Sequence, residues 1–147
     1  MSGAGAVKAM QEHMKRYRLY QQKVREYERL QKQIEEETGK SWREIGGLTD
    51  LEEVYGPIVA MMTSRLKKLE YPAKEAAYWL SIMDSAKSCL PDKYAEVIEF
   101  LIEGKTGSMI QAELFVSERT LTRVRKEFFT TMAELSGYEE AAPLFCR

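Results

Sequence analysis

Between Val7 and Ile34, apolar residues stand at positions 7, 10, 14, 17, 20, 24, 27, 30 and 34, in steps of three and four, with neither glycine nor proline between them. That period puts them on one side of a helix, and it predicts a single long helix over this stretch. The mean spacing is close to the heptad value of about 3.5, so the stripe suits a left-handed coiled coil between chains as well as packing on its own domain. Tyr17, Tyr20 and Tyr27 are unusual residues for a coiled-coil seam. In "SWREIGGLTDLEE", Ser41 with Glu44 and Thr49 with Glu52 both have capping-box spacing, and Gly46-Gly47 interrupts the chain between them. The pattern predicts a short helix, a turn, and a longer helix to about Glu70 that is kinked or split at Gly56-Pro57. Pro72 and Pro91 are each expected in the first turn of a further helix, "PAKEAAYWLSIMDSAKSCL" and "PDKYAEVIEFLIEG". No segment alternates with period two, so the chain reads as all-α.

From Asp92 to Leu135 the pattern divides into a helix, "GKTG", a short helix with Ser108 placed to cap it, a short turn, and a long helix capped by Ser117. Glu118 then lies at the favourable, positive end of the helix dipole. This is the layout of a helix-turn-helix, in which two helices cross over a small apolar core and the second is offered to the DNA major groove. Ile110, Leu114, Val116, Leu121 and Val124 have the spacing such a core needs. A helical wheel gathers Leu121, Val124, Phe128, Met132 and Leu135 on one side of the last helix. Arg119, Thr122, Arg123, Lys126 and Thr130 fall on the opposite side, with Glu118 and Glu127 on the flanks. Arginine contacts guanine bidentately or clamps a phosphate, threonine meets a thymine methyl or a phosphate oxygen, and lysine supplies mobile charge. A basic face is also what the wet side of any amphipathic helix looks like. The capped short helix and the "VS" turn before it favour DNA.

"AELFVSERTLTRVRKEFFTTMAELSGY" resembles the C-terminal helix-turn-helix of the phage-encoded ArpU/RinA-type transcriptional regulators, which are related to region 4 of sigma factors. The resemblance covers roughly residues 92 to 138 and is vague over the N-terminal helix. It implies an all-α DNA-binding regulator in the bacterial host cytoplasm, commonly an activator of late phage genes for packaging and structure. It places Ser117, Arg119, Thr120, Thr122, Arg123 and Lys126 in the DNA-facing region. Two departures stand out. Phe115 occupies the turn position that is usually glycine, and Gln111 replaces the small alanine of the first helix. A bulky residue in a turn that often needs positive φ is strained, so a rebuilt turn is expected.

At 147 residues the chain is the size of one ordinary domain with appendages. It segments into a long N-terminal helix over 1–40 with a role in self-association, a middle helical region over 41–90, the helix-turn-helix over 91–138, and a tail over 139–147. The net charge of −1 announces no nucleic-acid partner for the chain as a whole. Charge is instead uneven: eight basic residues face three acidic ones over residues 1–32, and two face seven over residues 33–58. Cys89 and Cys146 lack CxxC spacing and His13 is the one histidine, which leaves no zinc site or disulfide framework and suits a reducing, intracellular compartment. The N-terminus reaches charge before any apolar run of signal or membrane-spanning length, so a soluble cytoplasmic protein is expected. Without a glycine-rich phosphate loop, a His-plus-carboxylate cluster or a Ser-His or Cys-His pair beyond His13, neither catalysis nor a cofactor is expected.

His13, among Met10, Met14 and Tyr17, reads as a half-buried helix residue. Trp42, Trp79 and the Met61-Met62 pair read as core. "APLFCR" would expose Leu144 and Phe145 unless it covers an apolar groove of this chain or of a partner. The expectation is therefore a sequence-specific transcription regulator that binds double-stranded DNA through its C-terminal helix-turn-helix, with an N-terminal half that serves self-association or contact with RNA polymerase. Two rivals share these features. One is a phage small terminase subunit, whose DNA-binding motif is normally N-terminal. The other is a helical adaptor that binds RNA polymerase or a sigma factor without touching DNA.

Overall fold

The structure, a computed structural model, describes residues 2–138, with the side chains of 2–4 left aside. The expectation for "APLFCR" lies outside the described residues. Among those described there are eight α-helices and no strand: α1 (Ser2–Lys15), α2 (Tyr17–Thr38), α3 (Trp42–Ile45), α4 (Leu51–Tyr55), α5 (Pro57–Cys89), α6 (Ala95–Ile102), α7 (Gly107–Leu114) and α8 (Glu118–Ser136). A 3-10 turn over Asp92–Tyr94 leads into α6. The described residues form two compact units, one made of residues 19–78 and the other of residues 2–18 with 79–138. This grouping differs from a segmentation in chain order. It takes α1 away from α2 and joins it to the C-terminal helices.

The long N-terminal helix is two helices. The chain breaks at Arg16, whose N–H turns back to the His13 carbonyl at 3.0 Å. Of the nine positions of the apolar stripe, Met10, Tyr20, Leu30 and Ile34 are buried and the other five are half-buried.

In the unit of residues 19–78, Leu30 and Ile34 of α2 join Trp42, Ile45, Leu51, Val59 and Leu66 in one core. Ser41 precedes α3 as expected, with its backbone N–H and its hydroxyl both 3.2 Å from Glu44 Oε1. At the next start the cap position is Asp50 rather than Thr49. Gly56, at φ 96, ends α4, and Pro57 opens α5, so Gly56-Pro57 splits the predicted helix in two. Pro72 starts no helix. It lies inside α5, which runs on to Cys89 without a proline N–H to give to the carbonyl four residues back. Met61 is 65% exposed and is not core, whereas Met62 packs half-buried against the cluster.

In the other unit, α6, α7 and α8 pack together, and α1 makes its main packing against α8. Met10, Met83, Ile98, Ile110, Val124, Phe128, Phe129 and Met132 are fully buried. The half-buried His13 ring stacks on Trp79 with centroids 3.6 Å apart and planes 14° from parallel. Lys87 near the end of α5 pairs with Glu99 of α6 at 2.5 Å.

Candidate nucleic-acid interface

The connection from α6 to α7 is closed by Lys105, whose ammonium lies 3.9 Å from the Phe100 ring centroid and 3.4 Å from Glu113 Oε1. One lysine thus ties the end of α6 to the end of α7. The cap of α7 is Thr106, not Ser108: the Thr106 hydroxyl accepts from Met109 N at 3.2 Å, and Ser108 sits exposed in the first helical turn. The helix starts two residues earlier than expected because Gly107 and Ser108 are themselves helical. A Cβ built on Gly107 would stand 3.3 Å from Leu121 Cδ2, so the first turn of α7 lies close against α8.

Three residues, Phe115, Val116 and Ser117, join α7 to α8. The turn is not rebuilt around its bulky residue. Phe115 adopts φ 55 and ψ 42, the left-handed conformation itself, and its side chain is 92% exposed. Ser117 then caps α8: its Oγ accepts from Thr120 N at 3.0 Å and lies 3.0 Å from Thr120 Oγ1. At the other end Gly137 takes φ 74, with Gly137 N donating to Glu134 O at 3.2 Å and Tyr138 N to Ala133 O at 3.0 Å. That pair of bonds is a Schellman motif.

Along α8, Leu121, Val124, Phe128 and Met132 are buried as the wheel requires. Leu135, placed with them by the wheel, is 43% exposed in the last turn of the helix. Phe129 and Ala133 are buried instead, which widens the apolar side in the second half of the helix. Of the five apolar residues expected between α7 and α8, Ile110, Leu121 and Val124 are buried, while Leu114 and Val116 are half-buried.

The structure brings Arg119, Thr122, Arg123, Lys126 and Thr130 together on the exposed side of α8. Among the described residues, none of the three cations forms an ion pair, and the two hydroxyls carry no hydrogen bond. From Arg119 to Thr130 this face is about 16 Å long at the helical rise. Ser117 and Thr120 are not part of it in the same sense, because their hydroxyls are engaged with each other at the start of the helix. Arg125, the fourth basic residue, is half-buried and points elsewhere: its Nη2 lies 4.0 Å from where a Gly107 Cβ would be, over the start of α7. Sequence reasoning missed Phe129 and the exposed Phe115. The first sits one position off the apolar stripe, and the second was read only as a cost to the turn.

Other chemistry is sparse. Among the described residues, no three His, Cys, Asp or Glu side chains are grouped to hold a metal, and no helix is long and apolar enough to cross a membrane. No protein-family model matches the chain, and no curated protein or solved structure matches it either.

Proposed function

We propose that the chain is a sequence-specific DNA-binding regulator that reads the major groove with α8, and that α7, the turn and α8 form a helix-turn-helix like that of sigma region 4. The observation that carries this reading is the solvent side of α8, where Arg119, Arg123 and Lys126 stand free of ion pairs beside Thr122 and Thr130, on a helix whose opposite side is buried. A helix of about 10–12 Å diameter fits a major groove about 12 Å wide. The dipole of α8 adds positive potential at the end where Arg119 stands. Unpaired cations occur elsewhere on the surface, on α2 for example at Arg25, Arg29 and Lys32. What favours α8 is the combination of a short capped helix, a three-residue turn and two hydroxyls among the cations. The likeness of this segment to the ArpU/RinA-type regulators supports a role in phage late transcription, with RNA polymerase as a further partner. A gene position just upstream of terminase genes would bear this out.

The test is a fluorescence-anisotropy titration at several salt concentrations, on a duplex selected from a random pool by the wild-type protein and on a scrambled duplex. Lys126→Ala should weaken both and flatten the slope of log K against log salt by about 0.9, the value for one lost phosphate contact. Arg123→Ala should cost about 1–3 kcal/mol on the selected duplex and little on the scrambled one, as loss of a guanine contact does. If the double substitution binds with unchanged affinity and slope, α8 is a solvated helix and the cations of α2 become the candidates.

A further inference from the structure

Three residues that follow helices of the C-terminal unit have positive φ, Gly104 after α6 among them. After α8 it is Gly137, which has no Cβ to clash. After α7 it is Phe115, and among the described residues Phe115 is the one non-glycine residue with positive φ. Its ring is also 92% exposed, more than any other large apolar side chain described. Two unfavourable terms therefore meet at one position: a Cβ in a region that disfavours it, and an aromatic ring in water. Glycine or asparagine would remove both. Among the described residues nothing offsets either, since the side chain is almost wholly exposed. Strain held at an exposed residue is characteristic of positions that meet a ligand.

The position says which ligand. Phe115 stands two residues before Ser117, the cap of α8, and four before Arg119, the first cation of the basic face. Of the two carboxylates that flank it in sequence, Glu113 is paired with Lys105, and Glu118 lies in the first turn of α8, at the positive end of the dipole. An uncharged ring on the turn that leads into a helix with a cationic face suits the apolar parts of a duplex, namely a thymine methyl and the adjoining deoxyribose. The geometry points to Phe115 as an apolar DNA contact of the α7–α8 turn, one that conveys a preference for thymine at the edge of the bound site. This inference rests on the DNA-binding reading of α8.

Phe115→Gly and Phe115→Asn test it, alongside Lys126→Ala, by anisotropy on the duplex selected by the wild-type protein, on the same duplex with its thymines replaced by uracil, and by thermal melting. Both Phe115 variants should bind the selected duplex about 5- to 30-fold more weakly, the range for losing one anchoring side chain. Their salt slopes should match wild type, because no charge is removed. Their melting temperatures should be no lower than wild type, since the strained residue has gone. Uracil substitution should weaken the wild-type protein more than the variants. Weaker binding with a lowered melting temperature would make Phe115 a structural residue and overturn the inference. Unchanged binding by the Phe115 variants, with Lys126→Ala still weakened, would overturn it and leave the role of α8 intact. If Lys126→Ala and Arg123→Ala also bind as wild type, the DNA reading fails and the inference falls with it.

Discussion

Phe129 should be as important to the C-terminal unit as Phe128, although only Phe128 lies on the apolar stripe that the sequence displays. Both rings are fully buried in α8, with centroids 5.7 Å apart and planes tilted by 48°. Truncating either to alanine should cost about 3–5 kcal/mol, the range for a buried phenylalanine whose site collapses only in part. The two losses should not add fully. The tilted pair contributes about 0.5–1.5 kcal/mol beyond burial, and this is lost with the first ring, so the double variant should fall short of the sum by about that amount. Each compact unit carries one tryptophan, Trp42 in residues 19–78 and Trp79 in the other. Urea unfolding followed by Trp79 fluorescence in a Trp42→Phe background therefore reports on the unit that holds α8. At about 1–3 kcal/mol per molar of urea, either substitution should lower the midpoint by roughly 1 M or more. If Phe129→Ala costs less than about 1 kcal/mol while Phe128→Ala costs the full amount, α8 is buried along one stripe only and α1 does not pack on it as described.

Two further substitutions probe the unit of residues 19–78. Thr63 is 1% exposed and its Oγ1 has no hydrogen-bond partner, so Thr63→Val should raise stability by about 1 kcal/mol in thermal or urea melts; a loss instead would mean that the hydroxyl is bonded. Gly46→Ala should cost about 1–3 kcal/mol and shift Trp42 emission, because the new methyl would stand 2.7 Å from Trp42 Cζ3 and 2.8 Å from Trp42 O. Gly47→Ala, with nothing within 4 Å of the added carbon, is the control and should change little; equal effects at both positions would refute the packing of Gly46 on Trp42.

What could be read from the sequence was local periodicity, and what could not was which helix meets which. The stripe from Val7 to Ile34 was legible as helix, but its period is the same whether it faces a second chain or its own. The break at Arg16 has no glycine or proline to announce it. Pro72 shows the converse. Proline opens helices so often that its presence argues for a start, yet α5 continues through it, and Ala73 and Ala76 beyond it are buried. Caps were legible to within a residue or two: Ser41 and Ser117 stand where expected, while Thr106 and Asp50 take the places given to Ser108 and Thr49. On α8 the exposed residues could be assigned because solvent requires only that polar groups be absent from the buried side. Phe129 and Leu135 could not, since whether an apolar residue beside the stripe is covered depends on a partner, α1, that lies more than a hundred residues away in the chain.

That partner bears on how the basic face would be used. A two-helix motif alone would hold its second helix along one narrow stripe and leave the rest of its circumference wet. Here α8 has α6, α7 and α1 against it, and the buried arc widens at Phe129 and Ala133, in the second half of the helix. The solvent face is correspondingly more open in the first half, where Arg119, Thr122, Arg123 and Lys126 all stand. A recognition element needs its contacting side chains held in place by rigid support before the partner arrives, because ordering them on binding subtracts from affinity. The packing of α1 on α8 supplies such support. Loosening α1 through Met10→Ala should therefore weaken DNA binding without altering the salt slope, since the charges remain and only their support is lost. A flattened slope in that variant would mean instead that α1 brings phosphate contacts of its own.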